Sequence, residues 1–239
     1  MNQFEMTPSA AFQTTTVGAA ERTTAFLRAV YGWMCVGLGI TAAVAFGVAG
    51  SPGVLQAIAA NPILRWSVIL APLGLVFFLS YRVNKMSPGT AAAAFTVYSA
   101  LNGVTFAFIL MAYTRASVGS TFLVTAGMFG ALAFFGTVTK RSLAGVGQFF
   151  FMGLIGLLLA SVVGMFWQSN GLQFVISVVG VLVFTGLTAW DAQRLKVMAT
   201  AVPDGQFGSY AVVGALSLYL DFVNLFLFLL RFMGGGRRN

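Results

Sequence analysis

YAVVGALSLYLDFVNLFLFLLRF, Tyr210 to Phe232, is apolar for long enough to cross a bilayer, yet it holds a carboxylate, Asp221, near its middle. A spanning helix needs ~20 apolar residues. At ~1.5 Å per residue Asp221 lies ~16 Å from Tyr210 and ~15 Å from Arg231, the centre of a hydrocarbon core ~30 Å thick. An ionisable side chain at that depth costs at least ~2.5 to 3.5 kcal/mol, so it faces a partner or a watery cavity and marks a functional site. Gly214, Ser217, Asp221 and Asn224 recur at helical spacing, which stacks them as a polar stripe along one face.

Working outward, six more apolar runs appear: Leu27 to Gly50, Ile63 to Ser80, Thr90 to Tyr113, Val118 to Val138, Leu143 to Trp167 and Leu172 to Asp191. With 59% hydrophobic and 8% charged residues among 239, and a mean hydropathy of +0.91, the chain reads as an all-α membrane protein, a seven-transmembrane-helix bundle. Ser51-Pro52-Gly53, Asn61-Pro62, Ser87-Pro88-Gly89, Asn170-Gly171 and Pro203-Asp204-Gly205 punctuate the runs and predict short turns between antiparallel neighbours. Three regions follow: a disordered N-terminal tail over 1–21, the transmembrane domain over 22–233, and a short basic tail over 234–239. Six crossings with a re-entrant last segment is the other topology considered.

The net charge of +8 does not indicate nucleic acid, because the basic residues stand singly or in pairs between apolar runs. They read as topology determinants. Arg22, Arg28, Arg82, Lys85, Lys140, Arg141, Arg194 and Lys196 fall on the side of the N-terminus; Arg65, Arg115, Arg231, Arg237 and Arg238 fall on the other. The imbalance places the N-terminus in the cytoplasm. The lone Cys35 sits in the first span as a small hydrophobe. Histidine is absent, so any response to pH runs through Asp or Glu.

Helices in lipid associate through close approach of small residues. Gly39, Ala43 and Gly47, and again Gly156, Ala160 and Gly164, are read as such contact ridges. Tyr98, Asn102 and Thr105 form a second polar stripe in the third span, which supplies either hydrogen bonds to the first or interhelical adhesion. Asp191, the other carboxylate within the apolar runs, lies ~25 Å along its helix from Phe174. It reads as near the cytoplasmic end, either functional or paired with Arg194 one turn on. Helix arithmetic alone does not bring Asp191 and Asp221 together.

Three motifs resemble the Bax inhibitor-1 family, and particularly its bacterial members: Ser217-Leu-Tyr-Leu-Asp-Phe-Val-Asn-Leu-Phe226, Thr188-Ala-Trp-Asp-Ala-Gln193 and Ala100-Leu-Asn-Gly103. Phe26-Leu-Arg-Ala-Val-Tyr31 fits as well, so the similarity runs from about Arg22 to Arg231. The resemblance implies a bundle in which the C-terminal helix is central, enclosed by six others, with paired aspartates from the last two helices at Asp191 and Asp221. It implies a pH-dependent calcium leak, with Arg82 as the residue that latches onto the aspartates. Ser217, Asn224, Asn102, Tyr98 and Thr105 are then pore-lining or supporting groups. The tail Gly234-Gly-Gly-Arg-Arg-Asn239 departs from the acidic or mixed tails of many relatives.

Two carboxylates in a poorly solvated site do not both ionise readily, so they share a proton. The ionised pair offers the oxygen ligands that Ca²⁺ prefers, at Asp191 and Asp221, but too few for lasting coordination, which favours transient binding during permeation. No bound cofactor and no enzymatic activity are expected. The sequence before Asp221, Leu218-Tyr219-Leu220, lacks the Gly-x-Gly of an intramembrane aspartyl protease. Lys85, Lys140 and Lys196 sit at helix ends, where a retinal Schiff base has no use for them. An interaction protein that modulates a membrane-bound protease or stress-response partner is the alternative function. The bacterial inner membrane is the expected location.

Overall fold

A computed structural model describes residues 8–234 apart from 83, 84 and 168, and side chains are described from Gly18 onward except at 204. The elements are α1 (Pro8–Ala49), α2 (Pro52–Ala60), α3 (Pro62–Arg82), α4 (Pro88–Ala112), α5 (Arg115–Val138), α6 (Ala144–Phe166), α7 (Asn170–Ala201), a 3₁₀ turn (Asp204–Gln206) and α8 (Phe207–Met233). Seven of these helices are long and apolar enough to cross a membrane; α2 is a short helix between the first two spans. The turn residues start helices as their chemistry requires. Pro52, Pro62 and Pro88 stand at first helical positions, and Ser87, Thr114 and Ser169 accept from backbone amides as N-caps.

Two boundaries differ from the sequence reading. Helix α1 begins at Pro8 rather than after a tail ending at 21; Met1 to Thr7 and residues 235–239 lie outside the described residues. Helix α7 runs ten residues beyond Asp191, to Ala201. There the continuous apolar run gives way to an amphipathic pattern: Ala192, Leu195 and Ala199 are buried at helical spacing, while the polar face ties down its neighbours. Gln193 accepts from Leu143 N at 2.7 Å and donates to Arg141 O at 2.8 Å, and Lys196 donates to Thr137 O at 2.6 Å. Arg22 of α1 donates to Val202 O just beyond the helix.

Helix α8 is the axis of the bundle, with 67% of its most apolar window buried against 6% for α3. It packs on α1, α4, α5 and α7, while α3 lies against α4 and α6 against α7. The enclosure is therefore chiefly by four helices rather than six. Buried hydroxyls lock three of them together: Thr41 of α1 donates to Ser99 O of α4 and meets the Tyr219 hydroxyl of α8 at 2.7 Å. Phe95 and Tyr98 set their rings edge-on to Tyr219.

The closest helix approaches lie outside the predicted ridges. A Cβ at Gly39, Gly47 or Gly156 would meet nothing, while in the fifth-span ridge Gly164 stands against α7 and Ala160 packs on the cluster shared by α6, α7 and α8. Backbones approach instead at Gly103, where a Cβ would stand 2.7 Å from Val44, at Gly214, 2.7 Å from Leu195, and at Gly136, where it would run into Ala189 O. Spacing detects small residues, but their contact depends on which face the tertiary fold turns inward. Gly136→Ala is expected to lower the unfolding free energy by about 1–3 kcal/mol through backbone displacement, and Gly39→Ala to leave it within about 0.5 kcal/mol; thermal melts of the detergent-solubilised protein measure both.

Candidate functional site

Helix α7's extension beyond Asp191 shifts this residue inward by ~15 Å from its C-terminus, and Asp221 lies ~21 Å from the start of α8. The short Val202–Gln206 connection holds those two ends side by side, so the carboxyl groups come into side-chain hydrogen-bonding range of each other. Both are buried, at 9% and 5% exposure. Ser217 donates to Asp191 Oδ2 at 2.7 Å, whereas no hydroxyl or amide donates to the buried Asp221 Oδ2. A proton held between the acids removes one of two adjacent charges and supplies a donor where the protein provides none.

A cavity of about 670 Å³ extends from this pair between α3, α4, α6, α7 and α8. It is lined by Tyr98, Asn102, Thr105, Asp191, Ser217, Asp221 and Asn224, so the two stripes read in the sequence face one space. Asn102 and Asn224 donate their amide groups to Tyr98 O and Leu220 O, one turn back on their own helices. The amide oxygen of each is left as an acceptor. Thr105 likewise donates to Leu101 O. These groups are satisfied within their helices and do not bridge α4 to α8, so their fit is to a cavity surface rather than to adhesion.

A second cavity, of about 280 Å³, approaches the pair from the side where α7 ends and α8 begins, past Ser80, Met198, Tyr210 and Val213. The two cavities share Asp191, Arg194, Ser217 and Leu220. Asp191 thus stands at the partition between them, with Asp221 on the wall of the larger one. Arg194 is the cation whose charge acts on Asp191, and its guanidinium lies 5.7 Å from the Trp190 ring.

Arg82 is placed elsewhere. It is exposed in the last turn of α3 with its guanidinium 6.0 Å from the Phe78 ring, and it lines neither cavity. The i, i+3 spacing from Asp191 signals Arg194; nothing in the sequence singles out Leu220 from the leucines around it. Among the described residues no group of three or more acidic, Cys or His side chains assembles.

Residues 23–239 match the family described as "Inhibitor of apoptosis-promoting Bax1". The "Inner membrane protein YbhL" of Escherichia coli (strain K12) is 46% identical over 215 residues, covering 89% of this chain and 92% of that protein. A protein of Borreliella burgdorferi is 44% identical over 216 residues, 90% of this chain and 93% of its own. A membrane protein of Streptococcus pyogenes serotype M1 is 38% identical over 212 residues, with 87% and 92% covered.

Ser217→Ala removes the donor to Asp191 and is expected to cost about 1–3 kcal/mol of stability, while Arg82→Gln, at an exposed position, changes it by less than about 0.5 kcal/mol. Paired thermal melts in one detergent separate the two.

Proposed function

As the chain belongs to the Bax inhibitor-1 family, we propose that it is a pH-sensitive calcium leak channel of the bacterial inner membrane, gated by the Asp191–Asp221 pair. The observation that carries this reading is the position of Asp191 at the partition between two cavities that approach from opposite sides, with Asp221 beside it. A barrier made of protonatable oxygens differs from one made of leucines: its charge, and so its affinity for a cation, changes with one proton. The excess of basic residues on the N-terminal face supports an orientation with the smaller cavity towards the cytoplasm.

Each residue has a chemical part. Ionised, the pair attracts Ca²⁺ from either cavity, and Asn102, Asn224, Thr105 and Ser217 add neutral oxygens along the wall. Arg194, one turn on along α7, competes with the ion for Asp191 and holds that carboxylate at the partition through its charge. Protonation removes the charge Arg194 faces, the hold is released, and the partition yields. Leak therefore rises as pH falls. In this mechanism Arg194 takes the latching part that family resemblance assigns to Arg82. The carboxylates act as ligand and switch, with no bond-making step, so the reading is non-enzymatic.

Purified protein in liposomes loaded with a calcium dye is expected to pass Ca²⁺ faster as pH is lowered, and Asp221→Asn to flatten that dependence. Arg194→Gln should raise the leak at high pH roughly fivefold, equivalent to about 1 kcal/mol of lost closed-state stabilisation, with Arg82→Gln unchanged. Absent or pH-independent flux from folded protein would instead favour a scaffold that modulates a membrane protease, for which co-purification from native membranes is the direct assay.

A further inference from the structure

On another flank of α8 the helices α1 and α5 stand apart and leave a groove that runs along the bundle. Its half nearer the C-terminus of α8 is a cavity of about 370 Å³ between Leu38, Ala42 and Phe46 of α1 and Val118, Gly119 and Phe122 of α5. The other half is a cavity of about 510 Å³, and Leu38, Phe122 and Phe222 line both. The floor is aromatic, with the Phe122 and Phe129 rings each 5.5 Å from Phe222. Between Arg115 and Phe129 it extends ~21 Å along α5, longer than the ~15 Å half-depth of a hydrocarbon core.

The cavity nearer the C-terminus of α8 has two polar side chains in its lining, Thr41 and Arg115. Thr41 is already committed to Gly37 O, Ser99 O and the Tyr219 hydroxyl. Arg115 opens α5 at the membrane face where α1 and α8 end, and it is exposed. None of the described carboxylates shares that face: Glu21 belongs to the opposite one, and Asp191 and Asp221 form the buried pair. A cation at the membrane–water boundary, above an apolar groove as long as an acyl chain and with no carboxylate among the described residues on its side, is complementary to a lipid phosphate.

We propose that the α1–α5 groove binds an anionic phospholipid from the leaflet on the α8 C-terminal side, with one acyl chain on Phe122, Phe222 and Phe226 and the phosphate on Arg115. A net negative headgroup is favoured because a zwitterionic lipid carries its own ammonium, which would meet Arg115 unfavourably. Gly119 and Ala42 keep the groove wide: a Cβ on Gly119 would meet nothing within 4 Å, so a larger side chain there enters the groove without displacing the fold.

Native mass spectrometry of the full chain, delipidated in detergent and titrated with phosphatidylglycerol or phosphatidylcholine, tests this. Wild type is expected to retain one phosphatidylglycerol in preference to phosphatidylcholine. Arg115→Gln should weaken phosphatidylglycerol about fivefold and erase the preference, and Gly119→Leu or Ala42→Leu should remove the adduct of either lipid. Wild-type adducts in either the Arg115 variant or both groove-filling variants overturn the proposal. So does an equal loss in Arg65→Gln, which would indicate general surface charge, or a lipid-free dimer that groove filling dissociates, which would make the occupant a second copy of the chain.

Discussion

A carboxylic acid pair in the interior of a membrane bundle is the constraint to which the rest of the molecule conforms. Lipid offers Asp221 neither solvation nor donors, so α8 has to be sheathed in protein while its polar side chains find partners. The sheath is achieved by α1, α4, α5 and α7, which come close through glycines at 103, 136 and 214. Tyr219, nearly opposite Asp221 on the helix, is satisfied through Thr41 and the Ser99 carbonyl. The same helix thus carries a closed hydroxyl network on one side and a buried carboxyl pair on the other.

The depth at which the acids meet depends on α7. Its last ten residues pack through Ala192, Leu195 and Ala199, while Gln193 and Lys196 hold the α5–α6 connection. Leu195, which lines the smaller cavity, also packs against Gly214 of α8 and so sets the register of α7 against α8. A slip of one residue would rotate Asp191 by ~100° and carry it away from Asp221. Structural contacts at one membrane face therefore maintain a chemical contact near the middle.

The outer helices are unequally committed. Helix α3 is the least buried span, contains Pro72, and forms a wall of the large cavity through Ile69, Pro72, Leu73 and Val76. Of the cavity walls it is the one whose displacement gives up least packing, because little of its surface is buried to begin with. The cavity floor, by contrast, belongs to α7 and α8, the two most buried spans. A soft wall against a rigid floor allows the space beside the aspartates to change while the pair itself keeps its geometry.

Much of this was legible in the residues. Spans, turns and the importance of Asp221 follow from hydrocarbon thickness and the cost of charge, because those constraints act on each segment independently of the others. The polar stripes on α4 and α8 follow from helical period for the same reason. What only the tertiary structure decided was everything that depends on one helix relative to another: that α7 continues as an amphipathic helix past its apolar run, that Asp191 meets Asp221, that Arg82 stands away from them while Arg194 acts on Asp191, and that the small-residue ridge on α1 faces away from its neighbours. Periodicity defines a face but not what it faces, and in lipid, where hydrophobicity does not distinguish inside from outside, that choice is made by packing alone.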